Sequence, residues 1–558
     1  MAESANIARH LPLMAAHSPG RAAVKIPRGR TSSGAIDYLT LSFAELDAEV
    51  EAWVVRLQRK GVQRGDRVLV MVRQGLPLIA AAFALFKLGA VPVIIDPGMG
   101  RKNFLACVER SHPRVLLGIP SAQLLSYIFR SALKSVETRV WVSGSPTARI
   151  SSSTPPSTSN SQPVASSTSD LAAILFTSGS TGAPKGVCYE HGMFDAQVRL
   201  VRETYGIAPG EIDLPMLPIF ALFGPALGMT TIVPEIDPTR PAEVDPAKIV
   251  QAILQEKVTN SFGSPTLWRK IFDYCLARNI PLPSLRRVLC AGAAVPASLW
   301  RDAPRVLPNG KLHSPYGATE VLPVATVSSA EFEAQPAQGA LIGRPLPANL
   351  VKVIAITPDP IAALVGAREL PPGETGEIIV SGPTVTKSYD QLPEATARAK
   401  ISDPSSQSSA LSPQLSGSAA VWHRMGDAGQ IDSAGRIWFC GRIAEQVETS
   451  AGVLHTEPAE QVFRTHPQVA RCALVGLGPR GGQEPALVIQ SVAPSVDQPS
   501  LARELRALAL QNAHTTGIRK FFFHPSFPVD VRHNAKIHRL ALTHWAATAT
   551  PVEPDLAV

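Results

Sequence analysis

One stretch of this chain could pass for a membrane span: "LIAAAFALFKLGAVPVIIDP", residues 78–97. Its internal breaks decide against that reading and constrain the fold. Lys87 stands in its middle, and Gly89 and Pro92 divide it into a half of helix formers and a half rich in β-branched residues. A bilayer helix needs about 20 uninterrupted apolar residues, so the division reads instead as a buried helix leading into a core strand. The same alternation recurs along the chain. Short apolar runs such as Arg67–Val72, Val91–Ile95 and Val288–Cys290 read as buried strands. Pro246–Gln255 has a helical period, with Asp245 as its cap and Pro246 in its first turn. Strands alternating with helices predict an α/β protein with a largely parallel sheet.

The chain has 558 residues, beyond the usual reach of one core, so more than one domain is expected. A boundary is placed near Gly441. Residues 1–440 then form a large domain of layered sheets and helices, and residues 441–558 a small α+β domain. Two segments, 144–169 and 402–420, are rich in Ser, Pro and Thr and nearly free of large apolar residues. They cannot offset the entropy of ordering and are expected to be mobile insertions without chemistry.

The net charge of +8 allows an acidic partner or a membrane surface. The basic residues are scattered, so no nucleic-acid partner is expected. Cys107, Cys188, Cys275, Cys290, Cys440 and Cys472 lie far apart in sequence, which predicts neither a disulfide framework nor a zinc site. The N-terminal residues lack a basic segment followed by a long apolar core, so a cytoplasmic location is expected.

Chemistry concentrates in "LFTSGSTGAPKGV", residues 175–187. The apolar run before it suits a strand. The glycines, hydroxyls and lysine after it can wrap an anion with backbone N–H groups and set a cation beside it, which suits a phosphate chain. It is not a Walker A loop. Pro184 stands where that motif needs glycine, and Lys185 is followed by Gly186 in place of Ser or Thr.

The loop resembles the phosphate-loop signature of adenylate-forming enzymes, the superfamily of acyl-CoA synthetases, luciferases and peptide-synthetase adenylation domains. Further matches follow in order: "YGATE" (316–320), "GETGEIIVSGPTVTKSY" (373–389), "HRMGDAG" (423–429), "GRIAEQV" (441–447) and "NAKIHR" (534–539). The resemblance implies a large N-terminal domain, a small mobile C-terminal lid, and ATP and Mg²⁺ as cofactors. It implies that Thr177, Ser178, Gly179, Ser180, Thr181, Gly182 and Lys185 hold the β- and γ-phosphates, Thr181 and Lys185 with a catalytic part. It places Glu320 on magnesium, Thr319 as a donor to a phosphate, Gly317 among the residues that bind the nucleotide, and Tyr316 on the adenine. Gly292, Ala293 and Ala294 correspond to the adenine-edge segment, Asp427 and Arg442 to the ribose contacts. Lys536 corresponds to the lysine that stabilises charge on the transferring α-phosphate.

Two positions depart from the commoner pattern: Ala221 stands where a histidine often gates the acyl pocket, and Ala444 where the hinge usually has Asp or Lys. The combined pattern resembles the bacterial olefin-biosynthesis enzymes that make β-lactones. That implies a long-chain 2-alkyl-3-hydroxy acid as substrate, adenylated and then closed by its own β-hydroxyl, with no need for coenzyme A. Neighbouring pathway enzymes or a membrane surface are the partners it allows. A long-chain acyl-CoA or carrier-protein ligase is the alternative, and a nucleotide-binding module without catalysis is a third reading. No base for ring closure is evident; His191 and His313 lie near the motifs in sequence and have structural roles as their plainer explanation.

Overall fold

The computed structural model describes residues 5–150, 163–177, 183–237, 240, 243–333, 338–404, 420–529 and 537–554. Of the two Ser/Pro-rich segments, 151–162 and 405–419 lie outside these residues; the flanks of the first are packed on the domain, where the Val164 N–H donates to the Lys87 carbonyl and Ser166 is buried, so there the expected mobile insertion gives way to ordered chain. The fold is α/β with two principal sheets. A six-stranded sheet has the spatial order Thr138–Trp141, Val115–Gly118, Arg67–Met71, Val91–Ile95, Leu171–Thr177, Lys185–Glu190. Its strands are parallel except the last pair, an antiparallel hairpin in which Thr177 faces Lys185.

The 78–97 run folds as its composition dictates. Helix Leu76–Leu88 ends at Gly89, whose φ of 70° admits the left-handed turn into strand Val91–Ile95. Lys87 is buried, and its ammonium pairs with Glu51 and Asp47 of helix Phe43–Arg59. That helix begins with a capping box between Ser42 and Glu45. Among the described residues no helix is long and apolar enough to cross a membrane.

The second sheet has fourteen strands, and the smaller part of it is parallel. Strands Thr230–Ile232, Ile212–Pro215, Asn260–Gly263, Arg287–Cys290 and Lys311–Ala318 are parallel neighbours linked by helical crossovers. From Lys311–Ala318 onward the pairing is antiparallel, because the connection to Val321–Ser328 is two residues, Thr319 and Glu320, and a crossover helix cannot fit there. The last strand of this sheet is Ile437–Arg442; beyond it residues 447–454 form a hairpin, and Val469–Leu477, Glu484–Ser491 and Lys520–Phe523 form a separate three-stranded sheet. The residues from Val447 on have their own core around Phe463, Leu487, Leu505 and Phe521. All six cysteines are free thiols.

Candidate functional site

The carboxyl ends of parallel strands are where open α/β sheets place ligands, and the motifs converge there. Strand Leu171–Thr177 runs parallel to Val91–Ile95 and delivers the loop that returns at Lys185. Ser178, Gly179, Ser180, Thr181 and Gly182 lie outside the described residues, as does Lys536. Gly186 follows directly. A Cβ there would stand 2.7 Å from Cζ of Phe176, so the facing strand can approach only a glycine.

Segment 386–390 crosses from the large sheet to the edge of the smaller one. The Asp390 N–H donates to the Gly186 carbonyl at 2.7 Å, the Cys188 N–H donates to Ser388, and Arg67 grips the Asp390 carboxylate at 2.8 Å. This crossing brings Tyr389 under Lys185, whose ammonium lies 4.8 Å from the centre of the tyrosine ring.

The Tyr389 hydroxyl donates to Oε1 of Glu320 at 2.7 Å. Glu320 sits at the tip of the tight hairpin, and its backbone carbonyl accepts from both the N–H and the hydroxyl of Thr386, at 2.9 and 3.0 Å. Gly317 permits the hairpin, since a Cβ there would stand 2.8 Å from the Val321 carbonyl oxygen. Thr319 is the other tip residue; its carbonyl accepts from the buried Tyr189 hydroxyl. The sequence thus located Glu320, and the fold gives its carboxylate a neighbour, Tyr389, that ends the 373–389 motif but is given no role by it.

A residue outside every motif completes the cluster. Lys400 is buried, donates to the Thr386 hydroxyl at 3.2 Å and lies 5.9 Å from the Tyr389 ring on which Lys185 also sits. Burial lowers its pKa to about 7; Glu320 opposes that shift and Lys185 adds to it. Across the strand pair, Lys400 faces His423, whose Nδ1–H donates to the Ala399 carbonyl at 3.2 Å. Burial, with Lys400 beside it, holds His423 well below the usual histidine range, so it is a neutral imidazole.

Four residues beyond His423 is Asp427, almost fully buried. Its Oδ2 accepts from the Tyr316 hydroxyl at 2.6 Å, and its Oδ1 meets Arg442 at 2.9 Å across the strand pair. Burial, then the adjacent carboxylate, drives the Tyr316 hydroxyl far above its ordinary pKa, so it stays a donor. A carboxylate offers about four lone-pair positions, so its capacity as an acceptor exceeds a single partner. Tyr316 reaches Asp427 with its hydroxyl and packs at 6.4 Å against Phe439 with its ring. Gly292, Ala293 and Ala294 form the loop after strand Arg287–Cys290; Gly292 has a φ of 98°.

The remaining sequence candidates fall elsewhere. His191 is buried at the start of helix His191–Tyr205 against Phe86, and burial lowers its pKa to about 4. His313 packs edge-on against Tyr205 at 5.3 Å and is lowered to about 4 for the same reason. Both have the structural role. Ala221 is buried in the turn Pro218–Leu222, and Ala444 is exposed in the turn Ile443–Glu445 directly after the last strand of the large sheet.

A divalent cation has a fitting environment at Glu320. Among the described residues no group of three or more His, Cys, Asp or Glu could cage a metal. A single carboxylate suits Mg²⁺, which keeps waters and takes phosphate oxygens in place of an all-protein shell.

Residues 14–390 match the model of the AMP-binding enzyme family. The chain is 42% identical over 557 residues to the olefin beta-lactone synthetase of Xanthomonas campestris pv. campestris, covering 97% of each chain. It is 42% identical to the olefin beta-lactone synthetase of Stenotrophomonas maltophilia, covering 97% of this chain and 98% of the relative. Among solved structures, the amide bond synthetase McbA from Marinactinospora thermotolerans superposes with a TM-score of 0.76 over 98% of this chain and 100% of its own, at 23% identity.

Proposed function

The chain belongs to the AMP-binding enzyme family, an ATP-dependent adenylate-forming ligase of the olefin beta-lactone synthetase kind, and from that premise we propose its substrate, its product and the part each residue plays. The substrate is a long-chain 2-alkyl-3-hydroxy acid. Its carboxylate oxygen attacks the α-phosphorus of ATP, the bond to the β-phosphate breaks, and pyrophosphate leaves. The β-hydroxyl oxygen then bonds to the activated carbonyl carbon, the acyl–phosphate bond breaks, and AMP departs as the hydroxyl proton is released. The product is a β-lactone. Holding hydroxyl and carbonyl in one chain makes the second step intramolecular, so coenzyme A is not required. The observation that carries this reading is 42% identity sustained over 97% of the chain to proteins of that name.

In this reading residues 1–440 form the platform and residues 441–558 carry Lys536 to the α-phosphate. Thr177–Gly182 and Lys185 hold the β- and γ-phosphates, with Thr319 and Gly317 alongside. Lys185 is kept at the mouth of the loop by its seat on Tyr389. Mg²⁺ held by Glu320 would neutralise the leaving pyrophosphate. Tyr389 and Thr386 fix Glu320 in that position through its carboxylate and its backbone. Asp427 accepts from the ribose hydroxyls while Tyr316 and Arg442 orient it. Gly292, Ala293, Ala294 and Tyr316 border the adenine.

The test is mass-spectrometric product analysis of the purified protein with ATP, Mg²⁺ and a racemic 2-alkyl-3-hydroxy fatty acid, with and without coenzyme A. A cyclised, dehydrated product without coenzyme A is expected. A thioester formed only when coenzyme A is added would make the protein an acyl-CoA ligase. Lys536→Ala is expected to abolish pyrophosphate release while ATP binding survives.

A further inference from the structure

Helix Pro120–Ile128 is inside out. It buries Ala122, Gln123 and Ser126 and turns Leu124, Leu125, Tyr127 and Ile128 to solvent, at 63%, 44%, 46% and 65% exposure. An amphipathic helix on a globular domain ordinarily does the reverse. The inversion is built in, because the polar face is committed to hydrogen bonds. The buried Gln123 amide donates to the carbonyls of Val140 at 2.9 Å, Gly118 at 3.3 Å and Leu116 at 3.4 Å, tying the helix to the two outermost strands of the smaller sheet. The Ser126 hydroxyl donates to the Gln123 carbonyl at 2.6 Å and accepts from Nε of Arg139 at 3.1 Å. Rotating the apolar side chains inward would break every one of these bonds and bury their partners unsatisfied.

The exposed face continues onto the sheet edge. Trp141 ends the edge strand Thr138–Trp141, pairs with Gly118 just before the helix, and is 48% exposed. The surface therefore presents three aliphatic side chains flanked by a tyrosine and a tryptophan, the aromatic types that suit a water–hydrocarbon boundary. Its rim is basic. Arg139 lies over the Tyr127 ring at 4.6 Å, Arg130 is exposed and donates to the Tyr127 carbonyl, and the Lys134 side chain is 66% exposed. Of the nearby acids, Glu137 lies 3.5 Å from Arg114 and Glu109 lies 3.9 Å from Lys134, so Arg130 and Arg139 carry the surplus charge of the rim. The chain as a whole carries +8.

We propose that this inverted helix and Trp141 form a docking surface for an anionic lipid membrane, with Leu124, Leu125 and Ile128 entering the acyl boundary while Arg130 and Arg139 meet the headgroups. The size of the patch favours a lipid surface over a protein. Nine helical residues span about 14 Å, and one face about 10 Å wide over that length is on the order of 150 Å², far short of the roughly 800 Å² per partner of a stable protein interface, whereas shallow insertion needs only a few side chains. The nearest stretch outside the described residues, 151–162, reads "SSSTPPSTSNSQ" and has no large apolar side chain with which to cover the patch. The surface stands independently of the catalytic reading.

The experiment is co-sedimentation of the full-length protein with vesicles of phosphatidylcholine alone or mixed with phosphatidylglycerol, at low and at physiological salt. The variant combines Leu124→Ser with Ile128→Ser; its melting temperature and its ATP-dependent pyrophosphate release serve as folding controls. The wild type is expected to pellet with the mixed vesicles and less with phosphatidylcholine, salt weakening it. The variant is expected to bind on the order of tenfold more weakly or worse. Failure of the wild type to pellet with mixed vesicles, or equal pelleting of the variant, overturns the proposal. So does concentration-dependent self-association that the variant abolishes without any vesicle binding, since the face would then belong to a second copy of the chain.

Discussion

Lys400 offers the sharpest test of the buried cluster. A solvated lysine titrates near 10.4, and burial lowers this one to about 7, Glu320 opposing and Lys185 adding to the effect. Between those values the unfolded chain holds a proton on Lys400 that the folded chain does not. Folded stability must therefore rise with pH across that window, by about 1.4 kcal/mol per pH step. The full desolvation penalty, about 5 kcal/mol on this arithmetic, applies below pH 7 and vanishes above the unfolded value. Lys400→Met keeps the stem that packs here and removes the titration. The lost contacts with the Thr386 hydroxyl and the Tyr389 ring cost about 1–2 kcal/mol at any pH. The assay is urea denaturation of both proteins at pH 7 and at about pH 9.5. The wild type is expected to gain about 3 kcal/mol relative to Lys400→Met over that interval, because every other titrating group is common to the two. The variant is also expected to be the more stable protein at pH 7. Parallel pH dependence of the two proteins would refute the argument, and with it the claim that a buried ammonium sits beside the Glu320 hairpin.

Three other perturbations follow from the same geometry. Tyr389→Phe removes the hydroxyl that donates to Glu320, a charge-assisted bond contributing about 1.5–3 kcal/mol; a magnesium titration of pyrophosphate release should show the apparent metal affinity falling roughly tenfold or more, and an unchanged titration would separate Tyr389 from the site. Arg539→Met takes one partner from the buried Glu460, which keeps Arg464 at 2.6 Å, and one from the half-buried Glu445; denaturant unfolding should show a loss of about 1–3 kcal/mol. Adenylation should fall with it, because Arg539 begins the helix three residues beyond Lys536; full activity at wild-type stability would refute the anchoring role. Gly186→Ala drives a methyl group into Phe176 and should lower unfolding free energy by about 1–3 kcal/mol, read as a shifted denaturation midpoint; an unshifted midpoint would mean the strand pair can part without cost.

Much of the fold was legible because its signals are local. The split of residues 78–97 at Gly89, the Asp245 cap before Pro246 and the apolar runs at 67–72 and 91–95 each became the predicted element, since chain stiffness and capping act within a few residues. The predicted parallel sheet holds for the smaller sheet and the lesser part of the larger. The antiparallel part was missed because nothing in the run "YGATEVLPVATV" distinguishes a two-residue hairpin from a loop opening a crossover until Ala318 is found facing Val321. In the candidate site, Lys185, Glu320, Tyr316, Asp427 and Arg442 were each found by motif, and the structure joins them into two contiguous groups.

By itself the sequence determined the α/β class, the family and the residues whose chemistry suits a phosphate chain and a ribose, because these depend on residue type at short spacing. Only the tertiary structure decided what surrounds them. Tyr389 under Lys185, Lys400 behind Tyr389 and His423 opposite Lys400 come from strands and a crossing segment far apart in the chain. The exposed apolar face of helix Pro120–Ile128 is the same kind of fact: its composition suggests burial, and only the pairing of Gln123 with two strand ends turns it outward. A residue's pKa, exposure and partners are set by groups distant in sequence, and the sum of their fields and contacts exists only once the chain has closed on itself.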